Sequence, residues 1–218
     1  MPVITRQEKF RFWKTWTFQH TWAIPVSYII SLIVILICTA IFGISIEEFG
    51  TQLEQLVMQI AAGTVLGLGT GLIQKSLLNK VFNVSAFWIW SVMIGFVLTE
   101  ALAGYICWRL NINRMEIRFI ELNARPESLI FAFAGLLIGS LQWSVLRKHF
   151  TGSVYWIFAS TIGWGICVIT MDYVSILPSL NTLFTDVIAF SAGATLYGAI
   201  TGAALMWIMQ KKEVHIKK

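Results

Sequence analysis

"GLLIGSLQWSVLRKHF" occupies residues 135–150, and "GLGTGLIQKSLLNKVF" occupies residues 67–82. The two stretches are identical at 8 of their 16 positions. The similarity continues at the same offset into the segment that follows each stretch, where Trp88 is aligned with Trp156. A helix end, a short basic loop and the beginning of the next helix therefore recur as one unit.

The composition is that of a membrane protein. Hydrophobic residues make up 57% of the 218 residues, charged residues make up 12%, and the mean hydropathy is +0.73. A helix needs about 20 apolar residues to cross the hydrocarbon core of a bilayer. Six stretches meet or approach this length and are predicted as spans: Trp22–Gly43, Leu53–Ile73, Phe87–Trp108, Leu129–Leu146, Val154–Ser175 and Phe184–Met209.

The repeat predicts how these spans are arranged. Gly198 and Gly202 in the last span form a fainter third copy, and Trp22 in the first span is matched to Trp88. Two crossings return the chain to its starting side, so successive two-helix units can be related by an axis along the membrane normal. We expect an all-α bundle of six transmembrane helices, built as three tandem two-helix units around a pseudo-threefold axis, with spans 1–2, 3–4 and 5–6 as the units. A duplication of the middle segment alone is the alternative.

The repeated glycines and glutamines share one helix face. Small residues four positions apart let two helix backbones approach closely in a membrane, and a buried amide can hydrogen-bond across the contact. The repeated glutamines either hold helices together in this way or contact a substrate or ion. The predicted helix-packing residues are Gly67, Gly71, Gln74, Gly135, Gly139, Gln142, Gly198 and Gly202.

The basic residues predict the orientation. The net charge is +5, and 12 of the 16 Lys and Arg residues fall at the termini or in the two loops on the same side of the predicted membrane. Such residues collect on the cytoplasmic side, so both termini are predicted to be cytoplasmic. This distribution argues for a lipid-bound protein and against a nucleic-acid partner.

Four segments follow from this topology. Residues 1–21 are predicted as a cytoplasmic or interfacial segment, 22–210 as the transmembrane domain and 211–218 as a basic tail. An outer amphipathic loop at about 109–127 has its apolar and charged residues on opposite helical faces. It is expected to be a surface helix, or else a lid or docking element.

Glu100 is the candidate functional residue, because an ionisable side chain inside a span is costly. Asp172, Asp186 and Arg109 lie near the outer ends of their spans and could line an outward-opening cavity with Glu100 at its floor. Such a cavity would bind a cation or an amine. Alternatively, Glu100 is a structural residue that bonds to a neighbouring Thr or pairs with an outer Arg.

No enzyme motif is found in the sequence. The G-x-S-x-G, H-E-x-x-H and phosphate-loop patterns are absent. All three histidines, His20, His149 and His215, fall in the predicted cytoplasmic segments, so no span is expected to offer a histidine as a base or metal ligand. No metal, cofactor or catalytic activity is therefore predicted.

The pattern G-x-x-x-G-x-x-Q-W-x-x-L-R, which begins at Gly135, resembles a set of uncharacterised bacterial, cyanobacterial-type polytopic membrane proteins with repeated helices of this form. The first copy departs from the pattern, with Lys75 in place of the Trp and Asn79 in place of the Arg. The resemblance implies the repeated-helix fold, a place in a bacterial plasma or thylakoid membrane, and no particular activity. In layout alone, the chain is also similar to the substrate-binding subunits of energy-coupling-factor transporters.

Two functions are compatible with these features. The first is a non-catalytic accessory, assembly or packing subunit, in contact with a membrane-protein partner or with further copies of itself. The second is a small-molecule transporter, or its substrate-binding subunit, with a polar site near Glu100. A carrier should expose Glu100 to a cavity, whereas a packing subunit should bury it in a filled bundle.

Overall fold

The computed structural model describes residues 5–42, 52–110, 126–175 and 182–216, and the regular secondary structure of these residues is entirely α-helical. This confirms the predicted all-α class. The helices are α1 (Arg6–Phe42), α2 (Gln52–Leu78), α3 (Phe87–Leu110), α4 (Pro126–Leu146), α5 (Tyr155–Ser175) and α6 (Thr182–Ile216).

Five of the six helices are long and apolar enough to cross a membrane: Arg6–Cys38, Phe87–Ile106, Ser128–Leu146, Tyr155–Val174 and Phe184–Lys211. Large apolar side chains lie exposed on their outer surfaces, Leu98, Phe158 and Ile162 among them. This arrangement is the reverse of that in a water-soluble protein and fits a multi-pass protein in contact with the lipid bilayer. The remaining predicted span, Leu53–Ile73, lies within α2.

Local interactions determine where α1 begins and how the chain turns in two of the loops. Thr5 and Glu8 form a capping box, in which Glu8 Oε2 accepts from the Thr5 amide at 2.7 Å and the Thr5 hydroxyl accepts from the Glu8 amide at 3.3 Å. In the loop between α2 and α3, Asn79 Oδ1 accepts from the Val84 amide at 2.9 Å. In the loop between α4 and α5, Gly152 adopts φ = 75°, a conformation that favours glycine.

The helices form a closed ring. Each helix packs against the helices before and after it in the chain, and α6 packs against α1. The loops at 79–86 and 147–154 lie at one end, together with the N-terminus of α1 and the C-terminus of α6, and we call this the loop end. The interior near the loop end is filled by large buried side chains: Trp16, Trp88, Ile138, Trp156, Tyr197 and Leu205.

Three of the helix contacts depend on glycines. A methyl group added at Gly67 of α2 would lie 2.5 Å from the Met93 Cα of α3, and one added at Gly135 of α4 would collide with the Ser160 carbonyl of α5. Gly198 of α6 faces the Thr17 Cα of α1 in the same way, at 3.0 Å. Only glycine allows the backbones to approach this closely.

The other glycines of the pattern repeat this arrangement one turn nearer the loop end. An added methyl group would lie 3.0 Å from the Ile89 Cα at Gly71 and 3.0 Å from the Ile157 Cα at Gly139. At Gly202 it would lie 2.9 Å from the indoles of Trp13 and Trp16. The pairs α2–α3, α4–α5 and α6–α1 therefore share the same kind of contact.

The beginning of the chain is part of the ring. α1 continues without interruption from Arg6, and Trp13 Nε1 donates to the Ala199 carbonyl of α6 at 3.0 Å. At about 1.5 Å per residue, the 37 residues of α1 extend over about 55 Å, well beyond the hydrocarbon core. The outer amphipathic helix predicted at 109–127 lies largely outside the described residues, as do the last residues of the basic tail.

Candidate functional site

Each repeated glutamine bonds to a tryptophan of the neighbouring helix. Trp88 Nε1 donates to Gln74 Oε1 at 3.0 Å, and Trp156 Nε1 donates to Gln142 Oε1 at 2.8 Å. In both pairs the two residues are 14 positions apart and completely buried. The glycine contact and the glutamine–tryptophan bond are thus two parts of one repeated helix pair.

The two pairs are joined to each other at the centre of the ring. Gln142 Nε2 donates to Gln74 Oε1 at 3.1 Å, and Gln74 Nε2 donates to the Tyr197 hydroxyl at 3.2 Å. Gln74 Nε2 also lies 3.1 Å from His20 Nε2. One side chain from each helix takes part, and we call this set the Gln74 cluster: His20, Gln74, Trp88, Gln142, Trp156 and Tyr197.

The tryptophans fix the direction of every bond in the Gln74 cluster. An indole N–H can only donate, so the oxygen of each glutamine must face its tryptophan and the nitrogen must point away. Gln74 therefore presents its amide N–H groups to Tyr197 and to His20. His20 Nδ1 lies 2.7 Å from the Trp16 carbonyl, which can only accept, so Nδ1 carries the proton and Nε2 accepts from Gln74. An uncharged imidazole is the form that these partners require.

Aromatic rings enclose the cluster. Trp156 packs against Trp88 with ring centroids 5.8 Å apart and against Trp16 at 6.3 Å. The Tyr197 ring lies 5.4 Å from His20 and 4.4 Å from Trp164. These rings exclude water, which strengthens the hydrogen bonds inside and makes any unpaired polar group costly.

His20 belongs to the cluster, although no role was predicted for it. It lies in α1 and is completely buried, whereas its expected place ahead of the first span stays a prediction. Its position four residues after Trp16 places both on one face of α1, which α6 covers. The four-residue spacing of Trp16 and His20 is a sequence signal for a shared helix face. Both residues precede the predicted first span, which begins at Trp22. Trp22 itself is 56% exposed, unlike Trp88, with which it was matched.

Glu100 lies between α3 and α2. It is 6% exposed, and a methyl group added at Gly63 would lie 3.0 Å from its Cγ. One turn further along the same contact, the Gln59 carboxamide oxygen lies against Gly104. Glu100 is thus held in a helix contact, and its role as a ligand-binding residue stays a prediction.

The other predicted binding residues lie on different parts of the ring. Asp186 of α6 accepts from the Tyr28 hydroxyl of α1 at 3.4 Å, in a contact that Glu100 does not share. Asp172 of α5 is half-buried and Arg109 of α3 is exposed. Within the described ranges, the structure therefore assigns Glu100 and Asp186 to two separate helix pairs.

No group of three His, Cys, Asp or Glu side chains with metal-binding geometry occurs among residues 5–42, 52–110, 126–175 and 182–216. Cys38 and Cys167 are free thiols. Comparisons with protein families, with characterised proteins and with solved structures find no match to this chain.

Proposed function

We propose that this chain is a non-catalytic membrane protein that serves as an accessory or assembly subunit of a membrane complex. The hydrogen bonding of the Gln74 cluster is the main support for this proposal. In a substrate site, a few polar groups are left to bind the ligand. Here the four hydrogen-bonding positions of the Gln74 amide are used by His20, Tyr197, Trp88 and Gln142.

A pathway along the ring axis would have to break this cluster. Each separated group would be left unpaired in an apolar interior, at a cost of about 1–3 kcal/mol per group. A filled interior suits a rigid scaffold whose outer surface contacts lipid and other membrane helices. The partner is accordingly a membrane protein or a second copy of this chain.

The proposed architecture is three tandem two-helix units, α1–α2, α3–α4 and α5–α6, around a pseudo-threefold axis, with α2 as the sixth span. The same glycine contact recurs at each junction between units, in α2–α3, α4–α5 and α6–α1, and this recurrence supports the proposal. The proposed orientation places the loop end in the cytoplasm. Its support is the set of basic residues at that end: Lys75, Lys80, Arg147, Lys148 and Lys211.

Affinity purification of the tagged full-length chain from native membranes in a mild detergent tests the assembly role. We expect membrane proteins to co-purify in fixed stoichiometry, or a homo-oligomer by native mass spectrometry. An unrelated tagged membrane protein from the same membranes provides the control for non-specific capture. Recovery of a monomer that carries a defined small molecule would contradict the proposal.

The second candidate function is small-molecule binding at Glu100, and its burial in a membrane span favours it. If Glu100 binds a cation or an amine, Glu100→Gln should remove a co-purifying small molecule without reducing accumulation. Mass spectrometry of ligands released from both proteins measures this. Asp186→Asn is the matched control, since it removes a carboxylate from a different helix contact. Identical ligand profiles for all three proteins would make Glu100 a structural residue.

A further inference from the structure

Lys211 is held at the loop end by contacts with two other parts of the chain. Its stem packs against the loop at 147–154, where a methyl group added at Gly152 would lie 3.1 Å from Lys211 Cδ. Its ammonium lies 3.8 Å from the centre of the Trp207 ring and 5.2 Å from that of Tyr155. The two rings also contact each other, edge to face, with centroids 4.6 Å apart. The cation is thus positioned before a ligand arrives, which reduces the entropy lost on binding.

The repeat provides two equivalent lysines for comparison. Lys80, Lys148 and Lys211 each lie 13 residues after the first glycine of their copy. In the first two copies a serine stands where Trp207 stands in the third. Within the part of the chain that the structure describes, neither Lys80 nor Lys148 lies over an aromatic ring. The aromatic setting of Lys211 is therefore not a general property of the repeated lysines.

The two rings lie at the boundary of the apolar layer. The apolar stretch of α5 begins at Tyr155, and that of α6 ends at Lys211. Tyrosine and tryptophan collect at this depth in membrane proteins, level with the lipid headgroups. One and two turns further along α5, Phe158 and Ile162 are 60% and 53% exposed. The Lys211 cation consequently lies at the edge of a surface that faces lipid chains.

The charge around Lys211 selects the kind of headgroup. The loop at 147–154 contains Arg147 and Lys148, both exposed, and no acidic residue. A zwitterionic headgroup would bring its own cation to this basic surface, whereas an anionic headgroup brings only negative charge. Each basic residue near the membrane surface strengthens the binding of anionic lipid by about fivefold. A ligand that combines net negative charge with apolar chains fits both features of the surface.

We propose that Lys211, Trp207 and Tyr155 form a binding site for one anionic phospholipid. The ammonium pairs with the phosphate, and the rings pack against the glycerol backbone. An acyl chain follows α5 past Phe158 and Ile162. The site goes beyond the proposed assembly role and does not depend on it, because these residues lie on the outer surface of the ring and not in the Gln74 cluster.

Native mass spectrometry of the full-length chain in detergent tests the site by titration with phosphatidylglycerol and with phosphatidylcholine of the same acyl chains. We expect the first phosphatidylglycerol to bind more tightly than the first phosphatidylcholine. Lys211→Met should weaken phosphatidylglycerol binding about fivefold and leave phosphatidylcholine binding unchanged. Lys148→Met is the matched control and should weaken phosphatidylglycerol binding less, because it removes the equivalent lysine without the rings. Equal affinity of the wild type for both lipids, or an equal loss in both variants, would overturn the proposal.

Two further measurements identify what is bound. Lys211→Arg keeps the positive charge, so it should bind phosphatidylglycerol like the wild type; a loss equal to that of Lys211→Met would contradict a charge-based site. Glycerol 3-phosphate carries the negative group of the lipid without its chains. We expect it not to displace phosphatidylglycerol at equal concentration, since it lacks the apolar contacts with α5. Displacement would assign the site to a soluble phosphate and refute the lipid site.

Discussion

The helix pairs α2–α3 and α4–α5 differ from the pair α6–α1 in their hydrogen bonds, although all three share the close glycine contact. The first two pairs contain a glutamine bonded to a tryptophan. In α6–α1, Leu205 takes the position of the glutamine, and the register set by the Gly198–Thr17 contact assigns Phe12 to the position of the tryptophan. Both members of the polar pair have therefore been replaced by apolar residues.

The third pair still contains a buried indole bond, but one turn further from the loop end. Trp16 Nε1 of α1 donates to Thr201 Oγ1 of α6 at 3.0 Å. Close backbone approach is the common feature of these helix pairs, whereas the hydrogen-bonding side chains vary in position. Substitution of the glycines should therefore lower the free energy of unfolding more than substitution of the glutamine or the tryptophan.

Gly135→Ala should have the largest effect. Its added methyl group would collide with the Ser160 carbonyl, which cannot move without displacing α5. We expect a loss of about 3 kcal/mol in the free energy of unfolding, or failure to accumulate in membranes. Gly165→Ala is the matched control, because its nearest neighbour would be the Ala132 Cβ at 3.4 Å, an ordinary contact. Equal stability of the two variants would show that close approach is not required.

Gln74→Leu should rank second. It would leave the Trp88 indole and the Gln142 amide without acceptors and deprive His20 of its donor. We expect a loss of about 2–3 kcal/mol, measured by denaturant titration in detergent. Gln142→Leu is the comparison, because it breaks fewer of these bonds and should cost less. A larger loss for Gln142→Leu than for Gln74→Leu would show that Gln74 is not the central residue of the cluster.

The combination of Gln142→Leu with Trp156→Phe converts the second helix pair to the residues of the third. Each single change leaves one buried group unpaired, whereas the double change removes both together. The double variant should therefore be about 1 kcal/mol more stable than the sum of the single effects predicts. Strict additivity would mean that the bond between Trp156 and Gln142, at 2.8 Å, contributes no coupling.

Much of the helical fold could be predicted from the sequence, because apolar length and the repeated glycines are local signals. The predicted span Leu129–Leu146, for example, lies within α4 (Pro126–Leu146). The third helix pair was harder to find. The copies that contain Gln74 and Gln142 are 68 residues apart, but the partner of Gly198 lies at the beginning of the chain. A constant offset does not relate Gly198 to α1, and it aligns the exposed Trp22 with the buried Trp88.

The Gln74 cluster could be predicted only in part. The repeated spacing identified both glutamines, but their bonds to tryptophan cross a loop, so the partners depend on how that loop turns. His20 was missed because hydropathy alone does not indicate which polar residues a neighbouring helix will cover.

The two loops at the loop end are held by different side chains, whose loss should change stability less than the substitutions above. The loop at 79–86 is held by the Asn79 side chain within the loop, whereas the loop at 147–154 is contacted from outside by Lys211 of α6. The Lys211 ammonium lies 3.8 Å from the Trp207 ring and 5.2 Å from the Tyr155 ring. Such exposed cation–π contacts contribute about 0.5 kcal/mol.

Lys211→Met keeps the apolar stem of the side chain and removes only its charge. It should lower the free energy of unfolding by about 0.5 kcal/mol, whereas Asn79→Ala should cost about 1 kcal/mol because it leaves the Val84 amide without its acceptor. Thermal denaturation of both variants in the same detergent compares the two loops. A larger loss for Lys211→Met would mean that α6 holds the second loop more firmly than Asn79 holds the first. The α6–α1 pair would then stabilise α4–α5 through its charge as well as through its packing.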